Sequence, residues 1–305
     1  MARVAILPDQ SRFPGQGEQG AARALAARLP RLVLEARRVA ISLAHGIHGR
    51  RRAGPGENFW QFRPFMSGES AGRIDWRRSA RDGRLYVRER EWEAAQTVGL
   101  WIDRSVSMAF ASSLAGAPKV ERAIVLGLAL ADTLVAAGER VGFLGLMAPR
   151  ATRRIAEQIA GALAHDHAGA DRDLPPETPL RRRSEPLLIG DFLVPLPDIE
   201  RAVASIAANG ARGHVLLVVD PAEETFPFDG QAELEDPESG ARLHLGDAAA
   251  WGEDYRRRYL AHREGLRALL ARHGFTLTVH HTDRPASEAA LRVLTLLASR
   301  RDGGA

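Results

Sequence analysis

Residues 97–108 read TVGLWIDRSVSM. The first six form a nearly unbroken apolar run with no in–out alternation, ended by Asp103. A run of that kind suits a strand buried on both faces, as in a parallel sheet covered by helices. The polar residues that follow, Asp103, Ser105 and Ser107, are spaced D-x-S-x-S. Downstream, Val120, Ala123, Ile124, Leu128, Ala131 and Leu134 line one helical face, between Pro118 and Gly138. Those two residues are start and stop signals for a helix.

The alternation then continues. Residues 141–147 read as a second strand, 152–164 as a helix, and 187–189 as a strand ending at Gly190-Asp191. A helix over 199–209 is closed by Gly210, and a strand over 215–219 ends at Asp220. Residues 222–248 are polar and turn-rich and read as an insertion carrying a hairpin. A long helix over 255–273, a strand over 275–280 and a helix over 287–299 complete the chain. Continuous apolar strands alternating with helices predict a doubly wound, mostly parallel α/β domain over residues 96–300. In such sheets ligands bind beyond the carboxyl ends of the strands, where Asp103, Asp191 and Asp220 stand.

Upstream, residues 1–48 read as a loose lead followed by helix. Leu25, Leu29, Leu32, Val39 and Leu43 recur at helical spacing, and Pro30 predicts a break into two helices. Residues 49–95 form a distinct aromatic and arginine-rich appendage, expected to pack on the main domain. It opens with a basic, glycine-rich turn over 49–56 and carries Trp60, Phe62, Phe65, Trp76, Tyr86 and Trp92. Trp76, between Asp75 and Arg77, reads as the anchor of a hairpin. Residues 50–90 hold 11 Arg against five acids. That composition could bind nucleic acid through phosphate contacts and base stacking; packing of the aromatics, with arginines paired to nearby acids, is the preferred reading.

Across 305 residues the hydrophobic share is 45% and the charged share 26%, ordinary for a globular chain. There is no cysteine, which excludes disulfides, Cys-ligated metals and a Cys nucleophile. The net charge is +4 and the pI about 10.2. Of 42 basic residues only Lys119 is a lysine, which reads as compositional bias. The apolar stretch at residues 4–7 is too short for a signal-peptide core, and no window supplies a membrane span, so a cytoplasmic protein is expected. The 54–56 glycines lack a preceding strand and a Gly-Lys-Ser/Thr, so they are no nucleotide loop. His280 and His281 read as core or edge histidines.

D-x-S-x-S places one carboxylate and two hydroxyls on a short loop, able to converge on a hard cation such as Mg²⁺. Asp191 can add a second carboxylate. The same residues also suit a strand-end Asp with serines capping the following turn. A metal-assisted hydrolase at this loop would further need a general base, and none stands out in the sequence.

The segment from Gly54 to Met108 resembles the bacterial domain-of-unknown-function 58 family. The resemblance is carried by Gly54-x-Gly56-x-x-Phe59, Arg63-x-Phe65, Gly68-Glu69, Arg73-Ile74-Asp75-Trp76, Ser79-Ala80-Arg81, Leu85-x-Val87-Arg88, Glu91 and Asp103-x-Ser105-x-Ser107-Met108. The family usually has Gly-Asp at Gly68-Glu69. The resemblance implies a von Willebrand factor A-like fold with a metal-ion-dependent adhesion site, holding Mg²⁺ through Asp103, Ser105, Ser107 and Asp191. For that motif's threonine the resemblance offers Thr178, in Glu177-Thr178-Pro179-Leu180, with Thr152, which opens a helix, as the alternative. It further implies a non-enzymatic adaptor working with a MoxR-type AAA+ ATPase and other von Willebrand A-like proteins.

Overall fold

The computed structural model of the chain describes residues 5–6, 18–48, 59–66, 68–90, 96–166, 172–181, 184–235 and 241–302. The 49–56 turn, Glu91, Trp92 and the Arg182-Arg183 pair lie outside them. Two compact units are present: Ile47–Ala95, and the rest of the chain, Met1–Gly46 with Gln96–Ala305.

The larger unit begins with β1 (Ala5–Ile6) and α1 (Glu18–His48). α1 is one helix running through Pro30, not the two expected. Proline in a helix interior costs about 3 kcal/mol. The apolar stripe offsets this because it stays in phase on both sides. Leu29, Leu32, Ala36 and Leu43 all enter the main core. Arg28 and Arg31 on the same helix grip Glu121, at 2.7 and 2.5 Å.

The smaller unit contains β2 (Phe59–Pro64), α2 (Trp76–Asp82) and β3 (Tyr86–Arg90). β2 and β3 pair antiparallel. Trp76 does not anchor a hairpin: it opens α2 and is 62% exposed. The local reason is Asp75, whose carboxylate accepts from the Arg78 amide at 2.9 Å and so caps a helix there. Arg63 pairs with Glu69 and Arg78 with Asp82, and the Arg78 guanidinium lies 4.9 Å from the centre of the Tyr86 ring.

The main sheet is built from β4 (Thr97–Ile102), β5 (Arg140–Phe143), β6 (Met147–Arg150), β7 (Ser184–Gly190), β8 (His214–Val219) and β11 (Thr276–His281). Its order is β11-β8-β7-β4-β5-β6, parallel except for β6. The single strand expected over 141–147 is this β5–β6 hairpin. Leu146 N–H closes a turn onto Phe143 O at 3.0 Å, and Gly145 supplies the left-handed φ of 79° that the turn requires.

α3 (Lys119–Ala136), α4 (Ile155–His165) and α8 (Ala286–Asp302) pack together, with α3 central over the sheet. α5 (Leu196–Ala207) and α7 (Ala249–Arg272) form a second pair. Right-handed crossovers explain the two layers: β4 to β5 steps one way along the sheet and β7 to β8 the other, so their helices fall on opposite faces. Between β8 and α7 lie α6 (Pro221–Thr225) and the hairpin of β9 (Ala232–Glu235) and β10 (Arg242–Leu245), onto which β1 adds. The architecture is thus a mostly parallel α/β sheet with an N-terminal helix. The direction of winding reverses between β4 and β7, which opens a crevice at their carboxyl ends.

Candidate functional site

β4 ends at Ile102 and β7 at Gly190, so Asp103 and Asp191 emerge side by side at the reversal point. The strand pairing runs one step further, with Asp103 N–H donating to Ile189 O at 2.8 Å. The close approach needs Gly190: a Cβ there would stand 2.8 Å from Asp103 Cβ. Asp103 is fully buried. Its Oδ1 accepts from the Ser105 amide at 2.9 Å, while its Oδ2 is a buried oxygen with no hydrogen-bond partner. Burial, then the Asp191 charge, pushes its carboxyl well above the usual carboxylate range.

The two serines continue the network. Ser105 Oγ and Ser107 Oγ are 3.0 Å apart, and Ser107 Oγ donates to Asp191 Oδ2 at 2.9 Å. Four residues singled out by sequence, Asp103, Ser105, Ser107 and Asp191, therefore do converge. Thr178 does not join them. It lines a cavity of about 690 Å³ with Thr97, Arg140 and Ser184, which stand at the starts of β4, β5 and β7. A strand as long as β7 separates that edge from Asp191, roughly 20 Å at 3.3 Å per residue.

The residue at the centre was not among those expected. Lys119 opens α3 and extends its side chain back into the cluster, with only 1% of it exposed. Its ammonium donates to Asp191 Oδ2 at 2.8 Å, the same oxygen that Ser107 reaches. It also donates to Glu223 of α6. Burial opposes the charge, but Asp191 and Glu223 outweigh it and hold the ammonium above the ordinary lysine range. Burial also acts against Asp191, yet Lys119 draws that carboxyl below its ordinary range. Glu223 goes the other way, raised by burial more than Lys119 lowers it. Asp191 and Glu223 together supply the ammonium's counter-charge.

Glu223 is held in turn by a capping box: its Oε2 accepts from Asp220 N–H at 2.9 Å, and Asp220 caps α6. Asp220 also clasps Ser112, accepting from its amide at 2.7 Å and its hydroxyl at 2.6 Å. That clasp fixes the loop between residues 111 and 118, where Leu114 is 48% exposed. Two non-glycine residues of the described chain have positive φ, Phe192 at 48° and Phe226 at 47°. Each closely follows an acid that holds Lys119. Backbone strain of this kind costs about 1–3 kcal/mol and persists where the surroundings over-determine it. The surroundings are plain for Phe192: it is buried near Trp101, and its carbonyl accepts from His262 Nε2 at 2.8 Å.

As arranged, these residues do not fit Mg²⁺. An octahedral ion needs about six oxygens at roughly 2.1 Å. Here the two hydroxyls bond to each other and to Asp191, and the Asp191 oxygen facing them takes the Lys119 ammonium. Among the described residues, no group of three His, Cys, Asp or Glu is placed to hold a metal ion. One signal in the sequence could have pointed to Lys119: it is the only lysine among 42 basic residues and opens the helix after the D-x-S-x-S loop.

An acid–hydroxyl cluster at the winding reversal of a mostly parallel sheet defines an α/β module of the doubly wound class. The chain belongs to the family described as Protein of unknown function DUF58, matched over residues 61–265. It is 28% identical over 296 residues to uncharacterized proteins of Mycobacterium bovis and Mycobacterium tuberculosis, covering 92% of this chain and 90% of each relative. Among solved structures it is similar to the conserved hypothetical protein BatB of Bacteroides thetaiotaomicron. There the identity is 16%, the TM-score 0.37, and the coverage 67% of this chain and 100% of the other. The PilB minor pilin of Streptococcus sanguinis matches at 8% identity and a TM-score of 0.33, covering 71% and 64%. No helix among the described residues is long and apolar enough to cross a membrane.

Proposed function

We propose that this chain is a non-enzymatic protein-interaction module of von Willebrand factor A-like type, docking a partner at the carboxyl edge of its sheet. The partner class is the MoxR-type AAA+ ATPase that the family resemblance implies. The observation that carries this reading is the clasp between Ser112 and Asp220. It ties the loop carrying the exposed Leu114 to the same α6 whose Glu223 holds Lys119. A loop preorganised in this way binds with less ordering cost than a free one. The serines support binding over turnover, because Ser107 spends its hydroxyl proton on a carboxylate already engaged by an ammonium.

Capture of a MoxR-type ATPase by immobilised protein tests the reading. Leu114→Asp should weaken capture about tenfold or more, as for a contact at an interface centre. Ser112→Ala should weaken it less, by loosening the loop. Unchanged capture by both variants, with circular dichroism matching the wild type, would remove this edge as the docking face.

A further inference from the structure

We propose that the smaller unit carries a docking surface of its own, formed by Met66, Trp76 and Leu85 with Arg77, Arg81 and Arg84. Its occupant is an acidic segment of a partner protein that bears an aromatic or aliphatic anchor.

The backbone gathers the three apolar residues. Phe65 N–H donates to Leu85 O, and Asp75 N–H to Tyr86 O, each at 2.8 Å. Ile74 bridges Val87 antiparallel one step earlier. Met66 and Trp76 are thus both drawn toward Leu85, at the end of the β2–β3 ribbon where Pro64 pairs with Tyr86. All three are exposed: Met66 at 66%, Trp76 at 62% and Leu85 at 43%. A single exposed apolar side chain is ordinary, but several large ones gathered together mark an interaction site.

The platform beneath them is fixed. Ser79 is buried, and its Oγ donates to Asp75 O at 2.8 Å and accepts from Tyr86 N–H at 2.9 Å, which ties α2 to β3. Gly83, at a φ of 70°, closes the helix by donating to Ser79 O at 3.1 Å. The face of α2 away from Ser79 is Trp76, Arg77, Ala80 and Arg81, all exposed. Trp76 and Ala80 are neighbours at i,i+4, and so are Arg77 and Arg81. Arg84 follows just past the turn, also exposed. A surface held in this way loses little freedom on binding.

Charge names the occupant. The nearby acids are already engaged: Glu69 by Arg63, Asp82 by Arg78, and Asp75 in capping α2. Arg77, Arg81 and Arg84 pair with no acid among the described residues. Packing and pairing within the unit therefore account for Phe62, Tyr86, Arg63 and Arg78, and leave these six residues over. Trp, Met and Arg are the types enriched at interface centres, and guanidinium forks suit carboxylates. A nucleic-acid base stacked on Trp76 would lay its polar edges against Met66 and Leu85, which cannot bond them. A lipid surface would meet Arg77 in the middle of the exposed face of α2, where insertion calls for apolar side chains.

The test is fluorescence anisotropy of a labelled Asp/Glu-rich peptide with a central Phe-Leu pair, titrated with the full chain at low salt. The same peptide with Asn and Gln in place of its acids, a labelled oligothymidylate, and phosphatidylglycerol vesicles read by co-sedimentation run alongside. The acidic peptide should bind saturably, more tightly than the neutral one, and weaken as salt is added. Trp76→Ala should weaken it about tenfold or more, as at a hot spot. Arg77→Glu combined with Arg81→Glu should abolish it. These variants change exposed side chains only, and circular dichroism checks that they fold as wild type does. No saturable binding of the acidic peptide, or equal binding by wild type and variants, would overturn the proposal. So would oligothymidylate or vesicle binding that exceeds the peptide's and that the same variants remove. No ATPase enters the assay, so its failure leaves docking at the carboxyl edge to its own test.

Discussion

Asp103 and Lys119 hold opposite relations to burial. Lys119 keeps its charge because two carboxylates meet it, while burial and then the neighbouring Asp191 charge suppress the ionised form of Asp103. A carboxyl whose folded pKa is raised keeps a proton that the unfolded chain loses above about pH 4. Stability from this group is therefore present at low pH and declines as pH rises from about 4 toward the folded pKa. Asp103→Asn keeps the acceptor for the Ser105 amide and cannot ionise, so it should gain on wild type between pH 4 and pH 7. Asp103→Ala strands a buried amide donor and should lose about 1–3 kcal/mol at both pH values. Urea unfolding at the two pH values checks this. Equal losses for the Asn and Ala variants at pH 7 would mean that Asp103 is ionised in the fold.

At the scale of elements, the site depends on how closely β7 passes β4. Gly190 permits the approach, since a Cβ there would crowd Asp103 Cβ at 2.8 Å and Oδ2 at 3.1 Å. Gly190→Ala should cost about 1–3 kcal/mol, the usual penalty of overpacking. Chemical denaturation measures that loss, and an unchanged midpoint would contradict the contact. The elements also show where sequence reading succeeds. Asp103, Ser105, Ser107 and Asp191 were legible because strand ends and a five-residue spacing are local facts. Lys119 and Glu223 were not, because nothing local says that a helix start and an acid 104 residues later will meet. Thr178 misled for the same reason. Its Thr-Pro-Leu context is local, but the strand that follows carries it to the opposite edge of the sheet. Pro30 misled because helix continuity in α1 is decided by a core stripe that local propensity does not see.

For the whole molecule, the parallel sheet was legible from its apolar runs, and β6 escaped notice because a tight turn at Gly145 interrupts what reads as one run. The sheet's winding reversal gathers β4, β7, α3 and α6 at one edge, and a single ammonium holds that gathering together. Having one lysine in the chain makes this directly observable. Protein labelled with nitrogen-15 at the lysine Nζ gives one side-chain signal that needs no assignment. A buried, hydrogen-bonded ammonium should give a sharp, slowly exchanging resonance, and it should persist as pH rises past about 10.4, the ordinary lysine value. Mg²⁺ and chelator should both leave it in place. A signal that is broadened by solvent exchange at neutral pH, titrates in the ordinary lysine range, or shifts on adding Mg²⁺ would contradict a site built around Lys119.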